Sequence, residues 1–126
     1  MKRIIIVLVS FLLIAGMCVY CRVLVSSVKT ELCDRLQEIE AAAQNEDKEL
    51  CALAAGQLVE EAAKAGQRLG RFYPHIYGEE LKETCREIKY CIEEERWSLL
   101  SECIAECRYV LEMIVMQEEV VWENIF

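Results

Sequence analysis

The chain has 126 residues, with 22 Asp and Glu against 14 Lys and Arg, eight cysteines, one histidine and one proline. Every acidic residue but only 11 of the basic ones lie beyond residue 25, so that part carries a net charge of −11. Such a field repels nucleic acid and anionic membrane surfaces, and no basic stripe interleaved with aromatics offsets it.

In chain order, Met1-Lys2-Arg3 leads into an uncharged run from Ile4 to Cys21 that Arg22 closes. Eighteen residues of helix reach roughly 27 Å, close to the roughly 30 Å hydrocarbon core of a bilayer. Ile4, Leu8 and Leu12 lie in the anchor, and Tyr20 with a snorkelling Arg22 finishes it at the headgroups. The run exceeds the roughly 7 to 15 apolar residues of a signal peptide, which favours an uncleaved anchor over 1–25. The best cleavage site is Val25-Ser26-Ser27, while Met17 spoils a lipoprotein box before Cys18. Basic residues flank both sides almost equally, with Lys2 and Arg3 opposed by Arg22, Lys29 and Arg35. The compact basic leader then favours a single-pass protein of the cell membrane, N-terminus cytoplasmic and domain outside.

Residues 26–126 read as one acidic, all-α domain, since Ala, Leu, Glu, Gln and Lys lose little entropy in a helix. Val28, Leu32, Leu36, Ile39 and Ala43 form one helical stripe, with Glu31 and Arg35 paired on its flank. Gln44-Asn45-Glu46-Asp47 interrupts it, with Asn45 or Asp47 as the next N-cap. Leu50, Leu53, Ala54, Leu58, Ala62 and Ala65 follow, completing a first hairpin over about 27–69. An aromatic connection spans 70–78, and Glu79 and Glu80 mark the first turn of the third helix. Leu81, Cys85, Ile88 and Ile92, a turn at Glu93-Glu94-Glu95-Arg96, then Leu100, Cys103, Cys107, Leu111 and Ile114 make a second hairpin over about 79–116. An apolar tail occupies 117–126, in which Trp122, Ile125 and Phe126 dock on the bundle or on a partner.

A shift of forty-nine positions lays Leu32 on Leu81, Leu36 on Cys85, Ile39 on Ile88, Ala54 on Cys103 and Leu58 on Cys107. The expected fold is therefore a transmembrane helix followed by two antiparallel helical hairpins, stacked tetratricopeptide-like or closed as a four-helix bundle.

The layout resembles an uncharacterised family of small bacterial proteins from Gram-positive and spore-forming lineages, catalogued as a domain of unknown function. The likeness rests on the Met1-Lys2-Arg3 leader, the acidic turn before Leu50, the connection around His75, Glu95-Arg96-Trp97 and the ending Glu123-Asn124-Ile125-Phe126. Lys48 stands where a tryptophan is expected after the first turn. The resemblance implies no activity, and only loosely a role in sporulation or the envelope.

Cys85, Cys103 and Cys107 fall on core stripes, and Cys33, Cys51 and Cys91 on or beside stripe edges, as free thiols behave when they serve as small hydrophobes. Six cysteines allow fifteen full connectivities, and spacing alone names no pair. Cys18 and Cys21 are small packing residues of the anchor. Cys103 with Cys107, joined by His75 and Cys85 or Cys91, is the one metal set the spacing allows, and it is weaker than the packing reading. No local signature frames His75 or any cysteine as a catalytic group, so no enzyme, cofactor or small-molecule substrate is expected. The expected partners are the lipid bilayer and another protein. The leading function is a non-enzymatic membrane-anchored adaptor or scaffold, with a cysteine-based redox or metal-responsive protein and a cleaved secreted domain as alternatives.

Overall fold

A computed structural model describes residues 1–125, the side chains of Val121, Trp122 and Ile125 excepted. Four helices are found among them: α1 (Lys2–Gln44), α2 (Lys48–Leu69), α3 (His75–Glu93) and α4 (Trp97–Ile125). α1 packs on α2, α2 on α3, α3 on α4 and α4 back on α1, with no diagonal contact. This ring is a closed up-and-down four-helix bundle. An open tetratricopeptide-like stack would leave α4 away from α1.

α1 is one helix of 43 residues, about 64 Å long, with no break between anchor and domain. Its first part, Ile4 to Val23, presents its large apolar side chains outward. From Leu24 the same helix turns Val25, Val28, Leu32, Leu36 and Ile39 into the core. One N-terminal apolar helix is thus a candidate membrane span, and it is also a core helix of the bundle.

The two interhelical turns on the far side repeat each other bond for bond. After α1, Glu46 N–H donates to Ala43 O and Asp47 N–H to Ala42 O; after α3, Glu95 N–H donates to Ile92 O and Arg96 N–H to Cys91 O. Both turns are Schellman caps with a non-glycine residue in the left-handed region, Glu46 at φ 56° and Glu95 at φ 55°. The forty-nine-residue repeat therefore extends to the backbone of the turns. Asp47 accepts from Leu50 N–H at 3.1 Å and caps α2.

Several expectations shift. Leu50 and Leu53 are 47% and 62% exposed, and Cys51 is fully buried in their place. The Asp47 cap starts α2 in a register that points Cys51, Ala54, Ala55, Leu58 and Ala62 inward. α3 begins at His75, so Glu79 and Glu80 lie beyond its first turn. Pro74, fixed in φ and placed just before the helix, starts it four residues early. Arg35 bonds Glu38 at 2.7 Å and Glu61 of α2 at 2.9 Å, while Glu31 faces Arg68 at 3.6 Å. Arg35 thus ties α1 to α2 and is not partnered by Glu31. α4 runs on through Ile125 with no break at residue 116. The tail residues expected to dock, Trp122, Ile125 and Phe126, fall outside the described residues.

α2 and α3 cross closely where Gly66 meets Gly78: a Cβ on Gly78 would lie 3.2 Å from Gly66 Cα. Two predictions follow from these backbone features, both read by chemical denaturation. Gly78→Val should destabilise the bundle by about 1 to 3 kcal/mol, because backbone must move to admit the side chain. Glu46→Gly should stabilise it by about 0.5 to 1 kcal/mol, because the left-handed cap then loses its Cβ penalty.

Candidate functional site

Three places on the bundle combine chemistry with shape. The first is the end of the bundle beside the apolar run. The α2–α3 connection lies level with the end of the apolar run, with the Tyr20 and Phe72 rings edge to face at 5.6 Å. Phe72 and Ile76 are exposed there, and so is Val120 near the end of α4. A cleft of about 460 Å³ opens between Ile14, Met17 and Cys21 of α1, Tyr73 and Tyr77, and Glu118 of α4. Glu118 is 5% exposed and accepts a hydrogen bond from the Tyr73 hydroxyl. The sequence does contain a signal for it. Leu111, Ile114 and Glu118 continue one stripe, and an acid on a core stripe needs a partner.

The second is the distal end, where a groove of about 710 Å³ is lined by Ala43, Trp97, Leu100 and Ile104, with Glu40, Glu46 and Lys48 around it. Lys48 Nζ reaches Glu95 at 2.8 Å, linking the two repeated turns, and Arg108 meets Glu40 at 2.6 Å.

The third is the α3–α4 interface, which holds two thiol pairs. Cys91 Sγ and Cys103 Sγ are 3.4 Å apart, and Cys85 Sγ and Cys107 Sγ 3.8 Å. All eight cysteines are free thiols. Cys85 and Cys107 are fully buried; Cys91 is 5% exposed and Cys103 half-buried, next to the turn. Cys51 stands apart, its thiol aimed at Ile39 O at 3.7 Å. The pairing becomes apparent only once the register of the antiparallel hairpin is known. The two pairs share nearly one midpoint, residue 97 for Cys91 and Cys103 and residue 96 for Cys85 and Cys107, and that reflection is the sequence signal.

Two of these four thiols, Cys85 and Cys103, are poor nucleophiles at neutral pH. The hydrogen bond with Cys107 and burial push the Cys85 thiol far above its ordinary range. Cys107 moves the other way: the hydrogen bond with Cys85 holds its thiol below the ordinary range, against the effect of burial. Burial, then the Cys91 thiol and the carboxylates of Glu87 and Glu106, push Cys103 up to about 12 from its ordinary 9.0. Burial likewise raises Cys33 and Cys51.

The expected metal set is not assembled. His75 is exposed at the start of α3, sixteen residues or about 24 Å of helix from Cys91, and its ring lies over Gly70. Cys103 and Cys107 each face a different partner across the interface and do not converge on one point. Among the described residues no group of three or more His, Cys, Asp or Glu side chains is placed to hold a metal ion. Ile4, Leu8, Leu12 and Tyr20 are exposed along the apolar run, and Arg22 is exposed just beyond its end.

No protein-family model matches the chain, and neither a curated protein nor a solved structure matches it significantly.

The raised Cys103 value has a directional consequence. Its alkylation, followed at that residue by mass spectrometry, should rise about tenfold per pH unit through about pH 10 without the plateau an ordinary thiol reaches near its pKa. The unfolded chain releases this proton near 9.0 while the folded one keeps it. Unfolding free energy should therefore fall as pH rises above about 9.

Proposed function

We propose that this protein is a non-enzymatic, single-pass membrane adaptor, with its N-terminus in the cytoplasm and its acidic bundle held outside at a fixed height above the bilayer. The observation that carries the reading is the double use of α1, uncharged with its large side chains exposed from Ile4 to Cys21 and buried along one face from Leu24 onward. Leu24 and Val25 are 6% and 3% exposed. Cleavage at Val25-Ser26-Ser27 would strip both from the core, which supports a retained anchor over a secreted domain. The exposed Phe72 and Ile76 beside Tyr20 suit the headgroup region, where an aromatic side chain has both apolar and polar surroundings.

The distal groove supports the adaptor part of the reading. Trp97, Leu100 and Ile104 give it an apolar floor, and the charges around it give it a polar rim, as protein-binding surfaces have. It lies at the end of the bundle away from the anchor, where a partner meets no lipid.

Two experiments test this. A C-terminal epitope on the full chain should be reached by protease on intact cells stripped of their wall; protection until lysis would reverse the orientation. A photo-crosslinking residue at Ser101, on the groove, should give a discrete adduct in native membranes that Trp97→Ala reduces at least about fivefold, as loss of an aromatic anchor does. The same probe at Glu60, on the outer face of α2, should give none. Equal yields at Ser101 and Glu60 would remove the groove as a docking surface.

A further inference from the structure

We propose that Cys91 and Cys103 are a dithiol pair that closes into a disulfide stapling α3 to α4, while the buried Cys85–Cys107 pair stays reduced as long as the bundle is folded.

Two independent observations carry this. The first is geometric. Cys91 Sγ and Cys103 Sγ are 3.4 Å apart across two antiparallel helices tied by a short turn. Closing the remaining roughly 1.4 Å to a disulfide needs rotation of two side chains, one in the last turn of α3 and one in the second turn of α4, with little movement of the helices. The second comes from the repeat. The positions equivalent to Cys91 and Cys103 in the first hairpin are Ala42 and Ala54, and those equivalent to Cys85 and Cys107 are Leu36 and Leu58. All four are buried. Both layers of the first hairpin are thus filled by ordinary apolar side chains. In the second hairpin thiols occupy both members of each facing pair. Packing alone asks for a small apolar group at each position separately, and does not ask that thiols occur two by two in facing positions.

Accessibility separates the pairs. Cys103 is half-buried at the helix surface and Cys91 retains slight exposure, whereas Cys85 and Cys107 have none. The oxidant is an external disulfide, either that of a dithiol–disulfide oxidoreductase or a low-molecular-weight one such as oxidised glutathione. The Cys103 thiolate attacks one sulfur of that disulfide and releases the other as a thiol. Cys91 then gives up its proton and attacks Cys103 Sγ in the mixed disulfide, expelling the second thiol. Two electrons pass to the sulfurs of the oxidant and the two protons end on its two thiols. Burial and the neighbouring carboxylates keep the Cys103 thiolate scarce, so the reaction is slow at neutral pH without a catalyst and quickens with pH.

The test uses the full chain in detergent micelles, equilibrated with oxidised and reduced glutathione, quenched in acid, alkylated, and measured by intact mass and peptide mapping. The folded protein should lose about 2 Da, with the one bridge mapping to Cys91 and Cys103. It should melt on the order of 10 °C higher than the dithiothreitol-reduced protein. Cys85→Ala with Cys107→Ala should keep the bridge. Cys91→Ala with Cys103→Ala should fold, since alanines fill the equivalent layer of the first hairpin, and should show no mass loss. Persistent glutathione adducts at Cys103 without closure, or a bridge in the folded protein through Cys33, Cys51, Cys85 or Cys107, would overturn the proposal. So would eight free thiols at every glutathione ratio.

Discussion

One helix carries two kinds of surface. From Ile4 to Cys21 α1 is uncharged on all sides, and from Leu24 it is buried along one face only. Everything else in the fold is arranged around that change. A helix that is hydrophobic all round is stable in lipid, and one with a single stripe is stable against other helices. Because the two regimes join without a turn, the direction of the apolar segment, a candidate membrane span, sets the direction of the bundle. α2, α3 and α4 close around the upper part of α1 in a ring. The α2–α3 connection and the end of α4 are brought down beside Tyr20 and Cys21. Arg35–Glu61 and Arg108–Glu40 then tie α1 to both of its neighbours. These ion pairs are partly exposed and contribute little energy by comparison with the buried stripe.

The ring is also a duplicated hairpin. The Schellman caps at Glu46 and Glu95 carry the same bonds to residues forty-nine positions apart, and Lys48 of one turn pairs with Glu95 of the other. The two halves differ in what they do with that common frame. In the first, the α1 strand of the hairpin is prolonged into the apolar anchor, and the core layers are Ala and Leu. In the second, α3 starts at Pro74 and the matching layers are filled with cysteine. Small residues in these layers, with Gly66 and Gly78 at the α2–α3 crossing, let the helices approach closely. The long apolar segment and the two facing thiol pairs thus lie in different halves of one repeated design.

Much of this was legible in the sequence, for reasons that can be named. The uncharged run, the one-sided stripes of α1, α3 and α4 and the polar interruptions at Gln44–Asp47 and Glu93–Arg96 follow from periodicity and charge, and all four helices come from them. The stripe of α2 was misread because Leu50 and Leu53 outweigh Cys51 in hydrophobicity, while the Asp47 cap decides which of them faces inward. The start of α3 was misplaced because Pro74 initiates the helix from the aromatic segment that reads as a loop. The thiol pairs and the Tyr73–Glu118 bond escaped because they depend on the register between helices, which hydrophobic spacing within one helix does not specify. The choice between the two arrangements the sequence allows, an open stack or a closed bundle, depends on the same register, since two hairpins with equal stripes pack either way.

The central claim is that α1 passes from bilayer to bundle without a hinge. Amide hydrogen exchange on the full chain in lipid nanodiscs, resolved at Arg22 to Val28, tests it most directly. That segment lies at the junction, above the apolar run and at the base of the core. A continuous helix predicts that these amides are protected to the same degree as those of Leu32 to Ile39 in the bundle core. Rapid exchange confined to Arg22–Val28, with slow exchange on both sides, would mean a flexible linker and would contradict the account.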